Sequence, residues 1–402
     1  MNLPEGSLTV LLHGAPIGKL EQRGEGSSFT LDESYIELPA RPVLGQTFED
    51  APDREHHVRQ GIPRWFANLL PEGPLRRHVA ERAGVHESRS LHLLAVLGAD
   101  LSGAVVIERE DELAEVTPAR EARELSVGEE LKFSLAGMQL KFSVVRDERG
   151  LTVPAHGVGG FWIAKLPDQR FQGVPAAEFT MLRWADAADI AVPEAQLVEV
   201  SKIAGLPQEL ARTDELALIV KRFDRGEDGT RIHVEDFAQV LNLWPWEKYE
   251  RANYETIARI LQNVGTEEDV DELVKRLVFI AAIGDGDSHT KNWSLIYTDQ
   301  RSASLAPAYD LVPTAHYIPG DKLGLRLAGA NAFDDITLDR FARFAERAEL
   351  DVVRTIEVAK AQIARTAASW EEIREDAQVA QELRDFIDER SQSLPLFADS
   401  RL

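Results

Sequence analysis

The chain has 402 residues, 44% hydrophobic and 28% charged, a balance that fits a soluble globular protein of two or three domains. Its formal net charge is −23 and it contains no cysteine. The charge argues against a large nucleic-acid surface, which needs Lys and Arg, and the lack of thiols excludes disulfides and thiolate metal sites. The opening MNLPEGSLTVLLHG lacks the basic-then-apolar layout of a signal peptide, and no apolar run approaches membrane-spanning length. A cytoplasmic protein with no membrane contact is therefore expected. A surface this acidic attracts basic proteins, so DNA is expected to be reached only through such a partner.

Residues 7–48 are rich in β-branched and aromatic residues broken by turn signals, and SLTVLL, GAPIGKLE and SSFTL read as strands. From 62 to 97 the period changes to helical in IPRWFANLLPEG, LRRHVAERAG and SLHLLAVLG, after which LSGAVVIE returns to strand. Residues 1–108 are thus expected to form an α+β subdomain. Residues 109–130 are mostly charged without an aromatic residue, which predicts a linker or a solvated helix.

Residues 109–225 read as a small α+β lobe. LKFSLAGMQLKFSVV suggests strand, loop, strand; FWIAKLP is a strand ending in Lys165; AAEFTMLRWADAADI is an amphipathic helix; AQLVEV and ELALIVKRFD are strands. Helices then dominate 226–402, beginning with VEDFAQVLNL, YETIARILQNV and EEDVDELVKRLVFIAAIG. A hairpin interrupts them within GDGDSHTKNWSLIYTDQRSASLAPAYDLVP, residues 284–313. The whole predicts an α+β protein with a bilobal, protein-kinase-like plan, an extra N-terminal α+β subdomain and a helical C-terminal lobe.

The chemistry concentrates in that interrupting segment. Asn292 follows Asp287 by five positions, the spacing of the kinase catalytic loop, and Asp310 follows an apolar stretch and a turn. Asp287 is the candidate base that orients a nucleophilic hydroxyl, and Asn292 and Asp310 are hard oxygen donors suited to Mg²⁺. Taken singly, these three residues are ordinary turn and cap formers; their order is what points to phosphoryl transfer. An EF-hand is excluded, because counting from Asp285 the sixth position is Thr290 and the twelfth is Ile296. A phosphatase Asp-x-Asp pair would want a short strand before it, and the preceding run reads as helix. No second histidine lies near His289, so a positional role suits it better than metal ligation.

Upstream, Lys165 closes a strand just before a helix carrying Glu178, the arrangement in which a lysine meets nucleotide phosphates and is held by an acid. The backbone from Lys221 to Phe223 is placed to pair with adenine as a hinge, or else is a plain buried strand. The run Ser134, Leu135, Ala136, Gly137, Met138, Gln139 is small enough for its amides to approach phosphates. Trp244 and Trp246 in LNLWPWEKY read as core or interface packing, and His56 and His57 as solvated surface.

These motifs together resemble the HipA family of serine/threonine kinase toxins from type II toxin–antitoxin modules. The resemblance rests on WFANLLPEGPLRRH, SLAGMQLKFSV, FWIAKLP, VKRFDR, EDFAQVL, DSHTKN and AYDLVP, in that order, and spans nearly the whole chain. It implies ATP and Mg²⁺ as cofactors, with Asp287 catalytic and His289 in the catalytic loop. Asn292 and Asp310 would be the metal ligands. Lys165, Glu178, Lys221, Phe223, Lys291 and the loop residues Ala136, Gly137, Met138 and Gln139 would form the ATP site, and Ser134 would be the autophosphorylated serine that switches the enzyme off. It also implies an aminoacyl-tRNA synthetase substrate, typically the glutamyl enzyme, and a HipB-like helix-turn-helix antitoxin as partner. Leu140 stands where the family loop usually carries an acid. GDGDSH replaces the commoner Asn-containing turn, with Asp285 expected to add negative charge near the metals. Two alternatives stay open: a kinase-fold enzyme acting on a lipid or small molecule, and a non-catalytic co-repressor subunit.

Overall fold

The structure is a computed structural model that describes residues 6–109, 141–147, 150–152, 160–168, 170–206 and 215–398. The expected phosphate loop, with Ser134, Ala136, Gly137, Met138 and Gln139, lies outside the described residues, as do 110–130.

The first sheet is antiparallel, in the order β4-β3-β2-β1-β5. Its strands are β1 (Ser7–Leu12), β2 (Ala15–Arg23), β3 (Gly26–Leu31), β4 (His56–Val58) and β5 (Val105–Arg109). Alternation puts Leu8, Val10 and Leu12 on the buried face of β1. Five helices cover that face: α1 (Glu33–Ile36), α2 (Gln46–Glu49), α3 (Arg64–Ala67), α4 (Gly73–Arg82) and α5 (Ser90–Leu97). Phe29, Phe48, Trp65 and Phe66 knit the core, with ring centroids 4.7 Å apart for Phe29 and Phe66 and 5.7 Å for Phe48 and Trp65. The expected long helix at IPRWFANLLPEG is a single turn, α3, because Pro71 disfavours helical backbone at the residue before it. The chain from 68 to 72 is consequently free to form a wall rather than a helix.

The second sheet has the order β10-β7-β6-β8-β11-β9. It contains β6 (Lys141–Asp147), β7 (Gly150–Thr152), β8 (Trp162–Lys165), β9 (Ala195–Glu199), β10 (Ile203–Ala204) and β11 (Leu216–Lys221). Between β8 and β9 runs α6 (Val174–Ala187), which starts after Gly173 in the left-handed region with Pro175 in its first turn. Its Trp184 stands 5.0 Å from Phe279 and 4.6 Å from Trp370 and donates to the Thr366 carbonyl at 3.1 Å. This long helix of the small lobe is thereby packed into the large lobe.

The large lobe comprises β12 (His233–Asp236), α7 (Phe237–Val240), α8 (Tyr254–Val264), α9 (Glu267–Ile283), the hairpin β13 (Ser294–Tyr297) and β14 (Ser304–Leu305), and α10 (Thr314–Tyr317). It closes with α11 (Leu338–Ala348), α12 (Val352–Ile373), α13 (Gln381–Ser393) and α14 (Pro395–Ala398). VEDFAQVLNL departs from its helical expectation. His233 to Asp236 pair antiparallel with β13, and a capping box between Asp236 and Gln239 starts the helix only at Phe237. The hairpin is thus a three-stranded sheet.

Polar contacts join the N-terminal unit to the rest, and two of them form buried clasps. Asp100 accepts from Arg222 at 2.7 Å and from Arg225 at 3.2 Å, while Asp224 accepts from Arg222, Arg225 and the Gly103 backbone. Glu235, wholly buried, accepts from Trp65 Nε1 at 3.0 Å, Gln46 N at 2.9 Å and Tyr297 Oη at 2.6 Å. Burial outweighs these donors and pushes its carboxyl up to about 7 from an ordinary 4.5. An acid whose folded value is raised favours folding fully below its unfolded value and loses that contribution as pH rises through the folded one. Stability should therefore fall by about 3 kcal/mol between about pH 4.5 and 7 on this group's account. Melting temperature against pH, compared between the protein and Glu235→Gln, checks this. The variant loses the Trp65 bond at every pH but should lose the slope as well.

Candidate active site

The candidate catalytic loop is built by backbone hydrogen bonds that follow from its sequence. Helix α9 ends on Gly284 in the left-handed region, whose N–H donates to the Ile280 carbonyl at 3.0 Å. A Cβ on Gly286 would stand 2.2 Å from Asp321 Oδ2, so only glycine fits the close approach of that segment. The Asp287 N–H donates to Asp285 Oδ1 at 2.9 Å, and the Asp287 carbonyl accepts from His289 N at 2.7 Å and Asn292 Nδ2 at 2.8 Å. Tyr254 and Trp293 tether Ser288, and Thr290 is bonded to the Lys248 carbonyl. With its amide nitrogen committed to Asp287, Asn292 has its oxygen to offer a cation.

Asp285 is buried beside Asp287. Burial, and next the charge of Asp287, push its carboxyl well up, which favours the neutral form. Its Oδ1 shapes the loop as the acceptor for the Asp287 N–H. His289 is buried, with its pKa pushed well down by burial and then by Lys248, so it stays neutral. Its ring meets Tyr249 at 4.8 Å, its Nε2 lies 3.8 Å from Asp287 Oδ1, and neither ring nitrogen is hydrogen-bonded among the described residues. The Asp287 carboxylate takes a hydrogen bond from the Tyr249 hydroxyl.

Opposite this loop, Lys165 at the end of β8 is bonded to both Glu178 of α6 and Asp310. Lys141, facing Lys165 across the β6–β8 ladder, donates to Asp310 at 2.8 and 3.1 Å. Asp310 has φ +55, a conformation that short polar side chains tolerate better than most. Burial disfavours its charge, but Lys141 and Lys165 outweigh it and hold the carboxylate well below the usual range. Lys165 is held charged by Asp310 and Glu178 against its burial. Glu178 is pushed up, burial outweighing Lys165.

A cleft of about 360 Å³ opens between these groups. Lys141, Lys165, Glu178, Asn292 and Asp310 line it, with His289 and Lys291; Ile163, Leu182, Pro193 and Val220 supply apolar wall beside Lys221 and Phe223. Asp287, 4% exposed, is set back from it. In the expected hinge, Lys221 N–H is taken by the Glu194 carbonyl at 2.8 Å and Arg222 N–H by the Phe161 carbonyl at 2.7 Å. Of these three, Phe223 N–H alone donates no hydrogen bond among the described residues, so it, rather than Lys221, is the donor left to a ligand. The ammonium of Lys221 faces Glu194 and Glu227, each at 3.8 Å.

Lys291, expected in the ATP site, lines the cleft and is also tied to the N-terminal unit. It donates to Glu72 at 2.9 Å and to the Asn68 carbonyl at 3.2 Å, and Lys248 donates to the other Glu72 oxygen at 3.2 Å. Burial disfavours the Glu72 charge, yet the two lysines win and hold it at about 2. Glu72, Lys141 and Tyr249 are site residues that sequence reasoning missed. LLPEG carried the only available signal for Glu72: a proline stop that leaves an acid on an extended segment.

Two hard oxygen donors, Asn292 and Asp310, line the cleft, with Lys141 and Lys165 bonded to Asp310. Among the described residues there is no cluster of three His, Cys, Asp or Glu side chains that could hold a metal alone. The donor set fits Mg²⁺ that takes its other ligands from phosphates and water.

The mixed sheets, the helical lobe and the lysine–acid pair facing an Asp-x-x-x-x-Asn loop define a kinase-like fold. Family models agree: residues 8–108 match the HipA N-terminal domain and 133–373 the HipA-like C-terminal domain. The chain belongs to the HipA family. A Sinorhizobium fredii relative named "Putative kinase Y4dM" is 40% identical over 98% of both chains. The serine/threonine-protein kinase toxin HipA of Shewanella oneidensis is 24% identical over 64% of each. The solved complex of Shewanella oneidensis MR-1 HipA with HipB and operator DNA aligns with a TM-score of 0.75 at 18% identity, covering 98% of this chain and 99% of that one. No described helix is long and apolar enough to cross a membrane.

Proposed function

We propose that this HipA-like kinase binds ATP in the cleft and transfers the γ-phosphate to a serine or threonine hydroxyl of a protein. The observation that carries this reading is the ion network in which Lys165 joins Glu178 to Asp310 across 145 residues of sequence, in the same cleft as Asn292. The apolar walls receive the adenine, with Phe223 N–H as its hydrogen-bond donor. Lys165 and Lys141 turn from Asp310 toward the phosphates. Asn292 and Asp310 would hold Mg²⁺, which would supply neutralisation of the phosphate charge. Asp287 orients the acceptor hydroxyl. The hydroxyl oxygen bonds to the γ-phosphorus as the bond to the β–γ bridging oxygen breaks, ADP leaves, and the hydroxyl proton passes to Asp287. Incubation with γ-labelled ATP and Mg²⁺ tests this. Label on serine or threonine of the protein or an added acceptor is expected, and label confined to a lipid or small molecule would favour another acceptor class.

The family reading extends to an aminoacyl-tRNA synthetase as acceptor, which arrests translation when phosphorylated, and to a HipB-like antitoxin that carries the chain to operator DNA. The likeness to a HipA that was solved together with HipB and its operator DNA supports the partner. Ser134 is the proposed autophosphorylation site, since a phosphate dianion on that loop would repel ATP phosphates. Peptide mass spectrometry after incubation with ATP should find phosphate on Ser134. Ser134→Ala should lose it while still labelling an external acceptor; phosphate at another residue of that loop would reassign the site.

A further inference from the structure

Trp244 and Trp246 form a surface feature that the phosphoryl-transfer chemistry does not use. Pro245 between them opens a short 3₁₀ turn over Pro245–Glu247, and the two indoles stack at 4.8 Å with their planes 8° apart. The Arg64 guanidinium from α3 already lies over the Trp244 ring at 5.3 Å. Trp246 is 69% exposed, so most of its surface meets solvent. Such exposure of the costliest apolar side chain on a stacked, proline-set support marks a contact surface rather than packing.

The platform leads to the chemistry along one stretch of chain. Two residues beyond Trp246, Lys248 lines the cleft and bonds Glu72; one further, Tyr249 bonds the Asp287 carboxylate. A group resting on Trp246 would therefore sit on the segment that ends at the candidate catalytic carboxylate. The chemistry of that group follows from charge. An indole face attracts a cation, as Arg64 shows on the adjoining ring, and a chain of net charge −23 draws basic segments toward it.

We propose that Trp246 is the docking platform for an arginine side chain of the protein acceptor, near the hydroxyl to be phosphorylated. This rests on the kinase reading of the cleft and adds the acceptor's local chemistry to it. The probe is a pair of short fluorescent serine peptides, one with arginines flanking the serine and one with neutral citrulline in their place. Anisotropy without ATP should show the arginine peptide binding about two- to fivefold more tightly, the range of an exposed cation–π contact. Trp246→Ala should erase that difference and Trp246→Tyr keep it. ATP-dependent self-labelling should be unchanged in both, since the side chain is largely exposed and lies outside the cleft lining. Equal binding of the two peptides, no binding of either, or a preference that survives Trp246→Ala would overturn the proposal. So would a self-association that Trp246→Ala abolishes with no peptide preference, which would give the platform to a second copy. Loss of self-labelling in the unsubstituted protein would instead count against the kinase reading itself.

Discussion

Lys165→Met should cost the protein both stability and phosphate transfer. Among the described residues the ammonium is the one group bonded to Glu178 and Asp310 at once; it meets Glu178 at Oε1, and Glu178 Oε2 has no hydrogen-bond partner. Removing it leaves the buried Glu178 carboxyl without its ion-pair partner, and breaking one side of a buried pair costs about 3–5 kcal/mol. Glu178 can relieve part of that by taking a proton, the direction in which burial already pushes it. Transfer should fall by about 100-fold or more, because the charge that meets the phosphates is gone. Denaturant unfolding and labelled-phosphate transfer measure the two losses separately. Lys165→Met combined with Glu178→Leu should recover most of the stability, since an apolar pair of similar volume removes the buried charge, and recover none of the transfer. Recovery of transfer in the double variant would mean that Lys165 serves only to hold the fold.

That ion network also shows what the chain discloses before it folds. Asp287, Asn292 and the strand-end Lys165 were legible because their relation is local: a fixed spacing, or a strand followed at once by a helix. The α+β kinase-like plan was legible for the same reason, from apolar periods that change between lobes. Pairings that bridge long stretches of sequence were not. Val234 reads as the start of a helix, and only Ile296 opposite it makes it a strand. Glu72 meets Lys291 across 219 residues, and Tyr249 meets Asp287 across 38, with nothing at either end to announce the other. Lys291, expected in the ATP site, therefore also ties the N-terminal unit to the catalytic loop. Likewise the expected hinge narrows to the Phe223 amide, because Glu194 and Phe161 take the neighbouring N–H groups.

Asp287→Asn should separate binding from chemistry. The backbone bonds that build the loop run through Asp287 N and O rather than through its carboxylate, and the asparagine keeps an oxygen to accept from Tyr249. The fold and the ATP site should survive, while the group that orients and deprotonates the acceptor hydroxyl is lost. A fall of about 10² to 10⁴ in transfer is expected from removing such a base. The central claim, that this cleft is a phosphotransferase centred on Asp287, meets its most direct test here. Transfer of γ-phosphate from ATP to protein is measured at saturating nucleotide, with ATP affinity determined on the same samples. The account predicts labelling by the unsubstituted protein, and equal ATP affinity with labelling near background for Asp287→Asn. Equal labelling by both proteins, or ATP binding with no labelling by either, would contradict it.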